Sequence, residues 1–114
     1  MKLRVALAQI NPTVGDLAGN AALITKYTDE AVAASADVIV FPEMVLTGYP
    51  VEDLALRASF RSASKKALAQ LVTALNPDIV SVVGYLDESS HGAPQNKVRS
   101  EERRVGKECL RLCR

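Results

Sequence analysis

This sequence predicts an α/β fold with the element order β-α-β-α-β-(β), and three observations carry that prediction. Short apolar runs of strand length, at residues 3–10, 37–41 and 79–86, alternate with two long segments of helical periodicity. Turn chemistry (Asn11-Pro12, Thr47-Gly48-Tyr49-Pro50, Asn76-Pro77) separates them. The runs are nearly continuous in apolar character, which suits a largely parallel sheet with right-handed crossovers and helices on both faces.

In the first strand Val5, Leu7 and Ile10 are apolar, and Ala6 and Ala8 are small enough for helices to lie close. Asp16 is the expected N-cap of a helix reaching about Ser35. Its buried stripe is Leu17, Ala21, Ile24, Tyr27, Ala31 and Ala34, spaced by three and four. Residues 37–41 form the second strand, which Pro42 ends because it has no amide hydrogen to donate. A second helix, in one or two pieces, runs from about Glu52 to Leu75. Phe60, Ala67, Leu68, Leu71 and Leu75 lie on its apolar face, and Arg61, Lys65 and Lys66 are expected in water. The third strand follows. Residues 87–95 are rich in Ser, Gly, Asp and Pro and read as a hairpin-like connection, with Asn96 and Lys97 opening a fourth strand.

At 114 residues the chain is one domain at most. An apolar content of 48% and a charged content of 24% match a globular protein rather than a disordered one. The formal net charge of +1 gives no electrostatic case for nucleic acid or an anionic membrane as partner. No apolar stretch is long enough to span a bilayer. The start, MKLRVALAQI, lacks the pattern of a secretory leader, so a cytoplasmic location is expected. Cys109 and Cys113 make no disulfide framework and no zinc pattern, and no glycine motif cradles a phosphate.

Charge is distributed unevenly. Residues 1–97 sum to −2 and residues 98–114 to +3, and the latter hold five of the eight arginines. No Gly/Pro linker marks this change.

Glu43 is the leading candidate for chemistry. It stands two residues beyond a buried strand, at the end where α/β folds place their ligand sites. Partial burial there would orient a carboxylate for general-base work, whereas a structural carboxylate would cap a helix or pair with a lysine. Tyr49 lines a pocket or, more simply, packs on the core from its turn. Glu52 and Asp53 read as first-turn residues favourable to the helix dipole. His91, in SSHG, reads as a solvated turn residue.

Three stretches, VALAQINPTVGDLAGN, DVIVFPEMVLTGYP and VVGYLDE, give residues 1–97 a resemblance to the start of a carbon–nitrogen hydrolase (nitrilase-like) domain. Within that superfamily, GYPVEDL together with NPTVGDL looks most like the N-terminal glutaminase domain of the glutamine-dependent NAD⁺ synthetases. The resemblance implies the N-terminal part of an αββα sandwich and a Cys-Glu-Lys catalytic set. The cysteine attacks the amide carbon, the glutamate moves the proton and the lysine stabilises the oxyanion. Glu43 matches the family glutamate. Glutamine would be the substrate, and ammonia would pass to a separate synthetase domain that uses ATP and Mg²⁺. The intact family enzyme is expected to be a homo-oligomer, and no cofactor is expected in residues 1–97.

The sequence departs from the family after residue 97. The segments that carry the family lysine and cysteine have no counterpart, and Lys97, Lys107, Cys109 and Cys113 match neither. Residues 98–114 are therefore expected to be a basic, non-native tail, and 99–114 to pack poorly on the rest. The chain alone should lack glutaminase activity, and its third strand should expose an apolar edge. The alternatives are part of a generic nitrilase-family amidase, or a small non-catalytic α/β binding module.

Overall fold

A computed structural model describes residues 2–101, and the expected element order is realised there. The elements are β1 (Val5–Leu7), α1 (Leu17–Ala33), β2 (Val38–Val40), a 3₁₀ helix (Glu52–Leu56), α2 (Ala58–Ala74), β3 (Val80–Glu88) and β4 (Pro94–Glu101). The second helical segment is thus in two pieces, broken at Arg57, whose backbone is extended.

The four strands form one sheet in the order β1-β2-β3-β4. The first three are parallel, with Val5 opposite Val38 and Val38 opposite Val80. β4 returns antiparallel beside β3, from Glu88 opposite Pro94 to Ser81 opposite Glu101. The hairpin connection is tighter than expected, spanning 89–93, with the Ser89 amide donating to the Ala93 carbonyl at 2.8 Å and the Ser89 Oγ accepting from the Ala93 amide at 3.1 Å. β4 carries the sheet past Lys97 to Glu101, so the compositional boundary falls inside a strand. The rest of the expected tail, with Lys107, Cys109 and Cys113, lies outside the described residues.

Asp16 caps α1 as expected, its Oδ1 accepting from the Gly19 amide at 2.9 Å. The buried stripe of α1 is Asn20, Ile24, Thr28 and Ala31, whereas Ala34 is exposed. Two polar residues sit in the core because both are satisfied. Thr28 Oγ1 donates back to the Ile24 carbonyl at 2.7 Å, and Asn20 ties two loops together.

α2 departs further from expectation. Its buried residues are Arg61, Ser64, Leu68 and Leu71, so Arg61 does not face water. The guanidinium donates to the Ala55 carbonyl at 2.8 Å and to Glu88 Oε1 at 3.0 Å, which makes its burial affordable. Ser64 Oγ donates to the Leu86 carbonyl at 3.0 Å, tying α2 to β3.

The main core joins Ile24 and Ala31 of α1, Leu68 and Leu71 of α2, and Ile39, Phe41, Val83 and Tyr85 of the sheet, with Ala6 and Ala8 packed against it. Both helices therefore cover the same face. The expectation of helices on both faces is corrected, since strand alternation sends Val5, Leu7, Val38, Val40, Val80 and Val82 to the other side. There Val5 is 45% and Leu7 71% exposed. The expected apolar edge at β3 is corrected too: β3 lies between β2 and β4, and the bare apolar surface is a face of the sheet.

Candidate functional site

Parallel strands end together, and the loop leaving β2 begins where β3 continues. Only three residues of β2 lie beside the nine of β3, so the β3–β4 hairpin projects beyond β2 as a ledge. Phe41 donates to the Val82 carbonyl at 3.1 Å and Leu46 to the Gly84 carbonyl at 3.4 Å, laying residues 42–46 across that ledge. Gly84 makes the approach possible. A Cβ there would stand 2.6 Å from Met44 N and 3.1 Å from the Pro42 oxygen. Met44 itself turns through a positive φ of 50°, and its side chain is buried with Val51 and Leu86.

Glu43 sits on this crossing, at the carboxyl end of β2. Its carboxylate is exposed, so the expected partial burial is not what orients it. Orientation comes from β4, where the Asn96 amide Nδ2 donates to Glu43 Oε1. Asn96 stands opposite Leu86, two pairs beyond Gly84–Val98, on the face that the loop crosses. Its neighbour Lys97 is sent to the opposite face by strand alternation and bonds Asp87 Oδ2 at 3.1 Å. Lys97 is thereby held in a structural pair, away from Glu43.

A second loop braces the first. Asn20, 1% exposed, accepts from the Thr13 amide at 2.8 Å and donates to the Thr13 and Leu46 carbonyls at 2.8 and 3.0 Å. Gly15 donates to the Thr47 carbonyl at 2.8 Å. Gly48, at a φ of +80°, lies so close that a Cβ would come within 2.6 Å of Val14 Cα. The NPTVGD and TGYP turns are therefore one unit. Tyr49 leaves it 64% exposed, so the reading of a turn tyrosine packed on the core is corrected. Glu52 and Asp53 open the 3₁₀ helix, as first-turn acids do. His91 is exposed in the hairpin turn.

Beyond the ledge, Glu88 at the end of β3 receives Arg61 at 3.0 Å and Lys65 at 2.6 Å. The hydrogen bond from Lys65, then that from Arg61, holds the Glu88 carboxyl below its ordinary value. The same bond to Glu88 holds Lys65 above its own. Among the described residues, no group of three or more His, Cys, Asp or Glu could hold a metal ion, and no helix is long and apolar enough to cross a membrane.

Asn20, Gly84 and Asn96 are the site residues that sequence reasoning missed. Gly84 alone carried a signal, as a glycine interrupting an otherwise apolar strand.

The chain belongs to the carbon–nitrogen hydrolase family, whose pattern matches residues 4–99 and so takes in the β2 strand, the loop that carries Glu43 and most of β4. Within that family the chain is similar to glutamine-dependent NAD(+) synthetases. It is 38% identical to that of Acinetobacter baylyi over 93 residues, and 40% identical to that of Thermotoga maritima over 87. These matches cover 82% and 75% of this chain but only 17% and 15% of those proteins, so the chain spans about a sixth of their length. The solved glutamine-dependent NAD+ synthetase of Acinetobacter baumannii superposes with a TM-score of 0.81 at 36% identity, over 90% of this chain and 19% of that one. An amidase from Nesterenkonia sp. superposes with a TM-score of 0.74 at 18% identity, over 94% of this chain and 41% of that one, a likeness of fold.

Proposed function

We propose that residues 1–97 are the N-terminal part of a glutaminase domain of the glutamine-dependent NAD⁺ synthetase type, with Glu43 as the general base that moves the proton during amide cleavage. The observation that carries this reading is the position of Glu43, at the carboxyl end of β2 and bonded to Asn96 across the ledge. In the reaction implied by family likeness, a cysteine thiolate attacks the glutamine amide carbon. A lysine stabilises the oxyanion, the base delivers a proton to the departing ammonia, and water then releases glutamate from the thioester. ATP and Mg²⁺ belong, in this reading, to a separate synthetase domain. Tyr49, exposed beside the bonded turns, is proposed to contact the substrate. Residues 98–114 contribute nothing to the chemistry.

The chain by itself supplies the base and neither of its two partners, so no ammonia should appear when the purified 114 residues are incubated with glutamine. Turnover abolished by Cys109→Ala or Cys113→Ala would overturn that expectation. For the base itself, residues 4–99 can replace the matching segment of the Acinetobacter baylyi enzyme. Glu43→Gln in that graft should lower glutamine-dependent turnover by about 10²-fold or more, with ammonia-dependent synthesis retained. Equal loss of both activities would assign Glu43 a structural role.

A further inference from the structure

We infer that Asn96 is a positioning residue that aims the Glu43 carboxylate, an inference that rests on the reading of Glu43 as the base. Three features of the fold carry it. The Asn96 amide donates to Glu43 Oε1 across 53 residues of sequence, so the contact is made by tertiary structure and not by a local turn. β4 runs antiparallel to β3, which brings its first half, not its last, to the end of the sheet where the β2 loop emerges. Gly84 then lets that loop lie against β3 two residue pairs from Asn96.

An exposed glutamate has three rotatable bonds and spreads over many rotamers in water. A general base must instead present one oxygen about 3 Å from the proton it takes. An amide donor is suited to this. It bonds a carboxylate oxygen without bringing a positive charge. Its backbone is fixed in the ladder, where Asn96 stands opposite Leu86, a residue with no exposed surface. Lys97, the nearest cation along β4, is turned to the other face and bonded to Asp87. β4 therefore offers Glu43 a neutral donor.

Steady-state kinetics of the Acinetobacter baylyi graft test the inference. Asn96→Ala should lower glutamine-dependent kcat about tenfold, the size of one lost hydrogen bond to a charged group, with KM and ammonia-dependent synthesis unchanged. Asn96→Asp keeps the size, cannot donate when ionised and sets a second negative charge against Glu43, so it should be the more damaging change. A packing role predicts the opposite order, because Asp fills the space that Ala empties. That order, or parental kcat in both variants, overturns the inference. If Glu43→Gln leaves the graft fully active, the reading of Glu43 as base has failed. The contact can still be read by NMR in the 114-residue chain. A downfield Asn96 side-chain amide proton that moves back in Glu43→Ala supports the bond, and one unmoved by that change refutes it.

Discussion

Three small or neutral residues, Gly84, Asn20 and Asn96, fix where the one matched carboxylate stands. Gly84 is decided by space. Its missing Cβ would meet the Met44 nitrogen at 2.6 Å, and backbone cannot swing aside as a side-chain tip can. Gly84→Ala should therefore destabilise the fold by about 1–3 kcal/mol, the usual cost of overpacking. In the graft it should also lower glutamine-dependent kcat, because the loop carrying Glu43 must lift. Urea unfolding checks the first and kinetics the second, and parental stability would mean that the loop has room to move. Asn20 is decided by hydrogen bonding. Its removal leaves the Thr13 amide and the Leu46 carbonyl without this partner. Asn20→Ala should cost about 1–3 kcal/mol in the same assay.

At the scale of elements, the Arg61–Glu88–Lys65 cluster joins α2, the 3₁₀ helix and the end of β3. It holds them at the ledge through charge as well as packing. Glu88 is held below its ordinary value of 4.5 by the hydrogen bonds from Lys65 and Arg61. Its contribution to stability is thus complete above that value and disappears as the pH falls through the lowered folded-state one. Lys65 is held above its ordinary 10.5, so its share is complete below 10.5 and disappears only in stronger alkali. Stability measured against pH should be flat with respect to this cluster through the neutral range and fall at the acid end. Glu88→Gln should remove that part of the acid fall. An unchanged acid limb in Glu88→Gln would show that other carboxylates set it.

On the scale of the whole molecule, both helices cover one face of the sheet. Among the described residues the other face is covered by residues 42–46 only near Gly84 and Leu86, and is open at β1. Val5 and Leu7 are 45% and 71% exposed there, beside half-buried Val38, Val40, Val80 and Val82. Contiguous apolar surface of this kind drives association. The 114-residue chain should accordingly self-associate at micromolar concentration and bind a hydrophobic dye. Leu7→Lys should reduce both without changing the β3–β4 pairing. Light scattering that finds a stable monomer would mean that residues beyond those described cover this face.

Local chemistry was enough for the sequence alone to determine the element order, the Asp16 cap and the FPE run that marks Glu43, whereas the break at Arg57 in the second helical segment was left open. Strand runs, caps and turns depend on neighbours within a few residues, so they are legible from one dimension. Which face each element buries was legible only in part. Arg61 and Asn20 look like surface residues until Glu88, Ala55, Thr13 and Leu46 arrive from elsewhere to satisfy them. Near-continuous apolar strands likewise suggested two covered faces, whereas both helices pack on one. The partner of Glu43 could not be read from sequence, because 53 residues separate it from Asn96. Only the antiparallel return of β4, beside a β3 long enough to outrun β2, brings the two together.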